Sequence, residues 1–278
     1  MSIADKLGTI ADNQQKVYDA GKDAGYDEGY SLGNKDGYTQ GQNSGYSTGY
    51  EAGTKNGLPA TWDSFWDAFQ MNGARVNYEL AFSNGWTKDT FKPKYNIKPT
   101  GSSQKTFAKS KIAGDLVKIL EDCKVELDTS MCTNLTMFFT ATQFTRIGII
   151  NLTKSITTYG IFASWEPSYL ETIDKLIVSP TNVFDTTFRG CTALKNLTIE
   201  GTIAQNGFNM QWSTLLSEAS IKSIINALSD TTSGLTITLS KAAVDKAFET
   251  SPQASDGSQS AEWTALEGTK TNWTISLV

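Results

Sequence analysis

Glycine recurs at every fourth residue from Gly21 to Gly57, through Gly25, Gly29, Gly33, Gly37, Gly41, Gly45, Gly49 and Gly53, and nothing else in the chain restricts its fold so strongly. Tyrosine follows a glycine at Tyr26, Tyr30, Tyr38, Tyr46 and Tyr50, and the remaining positions are mostly polar. A lone helix is a poor host for this pattern, because ten interior glycines cost roughly 8–10 kcal/mol relative to alanine. A helical form therefore needs a second backbone close against the glycine track, as in helix pairs built on small residues. The tyrosine rings beside the track would supply the apolar area of such a contact. A four-residue period exceeds the 3.6 residues of one turn, which calls for right-handed winding of one helix about another. The spacing thus predicts a glycine-zipper stalk that builds a homo-oligomer, a dimer or a trimer, with a flexible Gly/Ser/Asn tether as the alternative.

The 278 residues carry a net charge of −5, of which −3 lies in residues 1–60 (five Lys against eight Asp and Glu). No basic patch is available to neutralise phosphates, so nucleic acid is not an expected partner. No 18-residue apolar run occurs, so no membrane span is expected. The start, MSIADKLGTIADNQQKV, has no basic segment leading into an apolar one, and three cysteines make no disulfide framework. Both point to synthesis and assembly in a cytoplasm. Histidine is absent, which removes the commonest general base and metal ligand. There is also no CxxC pair and no glycine-rich phosphate loop ending in GK[ST]. The expectation is a protein that is not an enzyme, with no catalytic, cofactor-binding or metal-binding residue.

Along the chain, residues 3–20 read as an amphipathic helix, either a docking helix or the start of the stalk. Thr61 is placed to cap a helix carrying Trp62, Phe65, Trp66 and Phe69 on one face, ending near Gly73. The stretch KIAGDLVKILEDC predicts a short helix with Ile112, Leu116, Ile119 and Leu120 inward. From Val125 a longer period sets in, with strands expected at 125–127, 147–152, 175–178 and 197–199. Their central residues Leu127, Leu152, Val178 and Ile199 lie 25, 26 and 21 apart, the spacing of a leucine-rich repeat. Asn134, Asn151, Asn182 and Asn196 fall near the turns, where an amide can satisfy backbone groups. Beyond Gly207 the pattern changes to a helix capped by Ser217, strand LTITL at 235–239, and a helix capped by Ser240. A loop over 251–260, a helix AEWTALEG and a last strand NWTISLV follow. The fold class is α+β, in four parts: a stalk over 1–58, an aromatic adaptor and N-terminal cap over 59–122, a solenoid over 123–206 and a C-terminal cap over 207–278.

The phrases VFDTTFRGC and FRGCTALKNLTIEG resemble the BspA-type leucine-rich repeat, whose units carry an aromatic residue, then cysteine, then a Leu-x-x-Leu lead into a strand. Together with the GYDEGY ribbon, WDSFWDAFQMNG, WTKDTFKPKYNIKPT and the C-terminal helices and strands, nearly the whole chain resembles proteins of tailed phages and prophages of gut Firmicutes. The resemblance implies a virion-associated protein of the tail-fibre or head-fibre type, whose solenoid presents a host- or partner-binding surface. The partners it implies are further copies of the chain, other virion proteins, and a host-surface protein or glycan. Outward strand positions Lys124, Glu126, Asn151, Lys175 and Glu200 are the candidates for that contact. The alternatives are a bacterial cell-surface adhesin with the same repeats and a cytoplasmic scaffold.

Overall fold

The computed structural model describes residues 12–16, 19, 75–76, 78–83, 86–248 and 260–278. The glycine and tyrosine register of 21–57, the aromatic helix of 61–73 and most of the loop over 251–260 lie outside those residues. The chain divides into two units, Met1–Phe65 and Trp66–Val278. In the first, residues 12–16 and 19 are helical, inside the expected 3–20 helix. Gln15 Nε2 there donates to Asp19 Oδ1 at 3.0 Å, one helical turn on.

The second unit is a mixed α/β structure whose described strand pairs are all parallel. Strands β1 (Arg75–Val76), β2 (Lys98–Ser102) and β4 (Met131–Asn134) form one sheet. Strands β3 (Gly114–Asp115), β5 (Phe144–Asn151), β6 (Thr172–Val178) and β7 (Asn196–Gly201) form a second, in that order. Strands β8 (Asn209–Met210), β9 (Leu235–Leu239) and β10 (Trp273–Leu277) form a third, ordered β10-β9-β8. The turns between strands are stacked in parallel too. Leu80 N donates to Gln104 O, Lys105 N to Thr136 O, Met137 N to Tyr159 O and Gly160 N to Asp185 O, at 2.9–3.2 Å. Those partners lie 24, 31, 22 and 25 residues apart, so the backbone of each layer satisfies the next one. The layering is thus not confined to 123–206; it already holds at residue 80.

Aromatic rings run through the layers as a column. Phe107 lies on Phe139 at 5.3 Å and Phe139 on Phe162 at 5.9 Å, each pair 8° from parallel, and Phe162 lies on Phe188 at 5.5 Å. Phe82 continues the column at one end and Phe208 at the other. All six rings are buried, and ring pairs of this kind add about 0.5–1.5 kcal/mol each beyond the area they bury. Polar groups inside are matched in the same layered way. Thr140 Oγ1 donates to Gly160 O at 2.6 Å, Thr187 Oγ1 to Thr158 O at 2.9 Å and Cys191 Sγ to Phe162 O at 3.2 Å. Burial pushes the Cys191 thiol up to about 12.

The asparagines perform as expected at three of four turns. Asn134 and Asn151 each accept from a backbone N–H two residues on, at 2.9 Å. Asn182, fully buried, donates to Leu152 O and Ser155 O and accepts from Ser179 N. Asn196 instead donates to the Thr172 hydroxyl on the exposed face.

Helix α1 spans Leu116–Asp122 and starts at Asp115, whose carboxylate accepts from Lys118 N. Leu116 and Leu120 are buried as expected, but Ile112 is buried ahead of the helix, because Gly114, at φ +100°, and the Asp115 cap set the helix start. Residues 125–127 are not a strand. Lys124 has φ +56° and Val125 N still bonds back to Leu120 O, so the chain is turning there, and Leu127 makes only an isolated bridge to Ile97. The strand register also differs from the expected one: Ile150 pairs with Leu176 and Leu176 with Ile199, while Val178 faces Gly201. A register shift between Ile173 and Leu176 turns two successive residues outward, which breaks the simple alternation.

Helix α2 (Glu218–Asn226) closes the four-stranded sheet. Ser217 caps it, and Ile221, Ile224 and Ile225 are buried, with Leu228 buried just past its end. Ser220 and Ser223, one turn apart, reach the edge of β7: Leu197 N donates to Ser220 Oγ and Ile199 N to Ser223 Oγ, both at 2.8 Å. Two side-chain hydroxyls take the place of a further strand, which blunts the open edge. Helix α3 (Lys241–Phe248) starts at Ser240 as the sequence indicates, and helix α4 (Ala261–Gly268) is capped by Ser260, whose hydroxyl accepts from Trp263 N.

Candidate functional site

Of the five outward positions singled out in sequence, four are occupied within the fold. Lys175 Nζ meets Glu200 Oε2 at 2.6 Å across β6 and β7, so these two answer each other. Asn151 holds the turn at Thr153 and its backbone is bonded to the Thr129 hydroxyl. Glu126 lies 3.6 Å from Lys98 and accepts from Asn96. Lys124 is exposed in the turn after α1, not on a strand. The five do not converge on one place.

The outer face of the four-stranded sheet is a lattice of ion pairs between neighbouring layers. Arg146 grips Asp174 with Nε and Nη2, both at 2.8 Å, and reaches Asp115 at 3.4 Å. Its hydrogen bonds to Asp174 raise the guanidinium pKa further above its ordinary value. Glu171 pairs with Lys195 at 2.9 Å. The charges of this face are largely spent on each other.

Beside that face, the segment from Trp165 to Tyr169 is different. Trp165 is 53% and Tyr169 50% exposed, and the residues between them are exposed or half-buried. Both ends of the segment are fixed. At the start, Ser164 N donates to Arg189 O at 2.8 Å and Ser164 Oγ to Glu166 O at 2.6 Å. Gly190, at φ +72°, passes so near that a Cβ there would lie 2.0 Å from Ser164 O, so only glycine permits this approach. At the far end Leu170 is buried and Glu171 N donates to Thr145 O at 2.8 Å. The Arg189 guanidinium stands 6.0 Å from the Trp165 ring. Neither Arg189 nor Glu166 has an ion-pair partner among the described residues. The result is a held loop that offers two aromatic faces, one free cation and one free anion. Its sequence signal is SWEPSY, two aromatics around a proline outside any strand or helix period, and reading for repeats passes over it.

Among the described residues, no group of three or more thiols and carboxylates is placed to hold a metal ion, and no helix is long and apolar enough to cross a membrane. Comparison of the chain with protein-family models, with curated proteins and with solved structures gave no match.

Proposed function

We propose that this chain is a virion fibre protein of a tailed phage. It oligomerises through the Gly21–Gly57 register, and its layered unit is a short leucine-rich-repeat solenoid that displays a surface for a host or virion partner. The observation that carries the reading is the stack of parallel layers, 22 to 31 residues apart, with a shared aromatic column and hydroxyl-closed sheet. A stack of this kind provides an extended lateral surface out of proportion to its length, the property that binding solenoids use. The held Trp165–Tyr169 loop gives that surface a place of contact. Its charge pattern and its chemistry suit display rather than catalysis.

The test is the mass of the full chain in solution by light scattering, beside a variant with Gly29, Gly37 and Gly45 each changed to Leu. A dimer or trimer that becomes monomeric in the variant, while circular dichroism of the layered unit persists, is the expected result. A parent chain that is monomeric at tens of micromolar refutes the fibre reading.

A further inference from the structure

We infer that the Trp165–Tyr169 loop, with Arg189 beside Trp165, is a saccharide-binding surface on whose two exposed rings pyranose units of a surface glycan stack. The inference deepens the display function proposed above and rests on it for biological context, but the chemistry stands on the loop alone.

Size decides the class of ligand first. A fully buried aromatic side chain covers about 150–250 Å², so two half-exposed rings offer roughly 200 Å² between them. That is near a quarter of the ~800 Å² that each partner contributes to a stable protein interface. The neighbouring sheet face adds one exposed isoleucine, Ile149, and few free charges, since Arg146, Lys175 and Lys195 are already paired to Asp174, Glu200 and Glu171. A protein partner would therefore find small apolar anchors and few free charges. A nucleic acid would find one unpaired cation where it needs several. A sugar ring needs less. Its C–H face is weakly positive and stacks on the negative face of an indole or phenol ring. Its hydroxyls take hydrogen bonds from a guanidinium, which has five N–H donors, and give them to a carboxylate.

Preorganisation comes second. The loop backbone is pinned by the Ser164 bonds, by the Gly190 approach and by buried Leu170, so little backbone ordering is left to oppose binding. Arg189 holds one side of the indole and leaves half of the residue open to solvent.

The test uses the full chain and a panel of malto-, cello-, chito- and manno-oligosaccharides, read by saturation-transfer difference NMR and by calorimetry. The expected result is transfer to the C–H protons of one pyranose face for at least one panel member. Trp165→Ala and Tyr169→Ala should each weaken that binding roughly 3- to 10-fold, the worth of one aromatic stack. Trp165→Phe should restore part of it. Both side chains are half exposed, so unchanged circular dichroism is expected in every variant. Absence of transfer across the panel, or sugar binding that is indifferent to Trp165→Ala, overturns the inference. Binding to bacterial cells that protease treatment abolishes, and that Trp165→Ala leaves intact, also overturns it while the display function stands. A monomeric chain that still binds sugar through Trp165 would instead refute the fibre reading and leave this one in place.

Discussion

Changing Ser220 and Ser223 together to Ala removes the two hydroxyls that finish β7. Ser220 Oγ accepts from Leu197 N at 2.8 Å and itself donates to Lys195 O at 3.1 Å. Ser223 Oγ accepts from Ile199 N at 2.8 Å. In the variant, Lys195 O keeps its bond from Ser217 N at 2.8 Å, but the Leu197 and Ile199 N–H groups lose their partners. Leu197 is 2% exposed and Ile199 8%, so water reaches neither group easily. A buried donor left unpaired costs about 1–3 kcal/mol, so the two together make the double variant roughly 2–6 kcal/mol less stable at this edge. Against a total stability of about 5–15 kcal/mol, that is a large share. Hydrogen exchange at single-residue resolution reads it directly: the Leu197 and Ile199 amides should exchange at least ~30-fold faster, since 1.4 kcal/mol is tenfold. The Ile173 and Leu176 amides on β6 serve as the internal comparison, and Ser220→Thr, which keeps a hydroxyl, should retain most of the protection. A double variant within about 0.5 kcal/mol of the parent in urea unfolding, with both amides exchanging as before, would show that the hydroxyls do not close the sheet.

Phe139→Ala opens the middle of the aromatic column and should cost about 3–5 kcal/mol in urea unfolding. Asn182→Ala should cost roughly 2–4 kcal/mol, because Leu152 O, Ser155 O and Ser179 N all lose a buried partner; Asn182→Asp should be worse, since a carboxylate faces two carbonyls where the amide donated. Alkaline pH should destabilise the fold. The Cys191 thiol is pushed from 9.0 up to about 12 and the Tyr78 phenol from 10.0 up to about 12, both chiefly by burial. Between about pH 9 and pH 12 the unfolded chain has therefore given up protons that the folded chain keeps, and stability falls as pH rises, by up to ~1.4 kcal/mol per pH unit for the fully buried thiol. Urea midpoints measured from pH 8 to pH 11 check this, and Cys191→Ala should flatten the part of the slope that begins near 9.

Sequence reading succeeded where the determinant is local. Ser217 and Ser240 stand one residue before helices that begin where their caps say, and LTITL is a strand over the residues expected. Recurrence of strands at repeat-like spacing was also legible, because burial of one face imprints an apolar period on the chain. The register was not. The shift at Ile173–Leu176 depends on how β6 meets β7, and no residue inside β6 announces it. The adaptor and N-terminal cap expected over 59–122 hides the layer period behind its aromatics, and the Leu80 N–Gln104 O bond and the stacking of Phe82 on Phe107 show that the described part belongs to the layers. The candidate contact residues are outward strand positions by sequence, and Asn151, Lys175 and Glu200 do lie on strands. Being outward did not leave Lys175 and Glu200 free, since each found the other 25 residues away. The Trp165 loop escaped for the converse reason. Its exposure and its fixed base depend on Gly190 and Arg189, which belong to the next layer.

The aromatic column has a bearing on how this unit comes apart. Each ring is shared, packed on one neighbour above and another below, so much of the energy of a layer resides in its boundaries rather than within it. In a one-dimensional array of coupled units, strong boundary terms and weak intrinsic ones make intermediate states rare. Opening a central layer forfeits two boundaries, whereas peeling a terminal one forfeits a single boundary. Loss of order should therefore start at the ends of the stack and sweep through it, with the layers around Phe139 and Phe162 the last to yield.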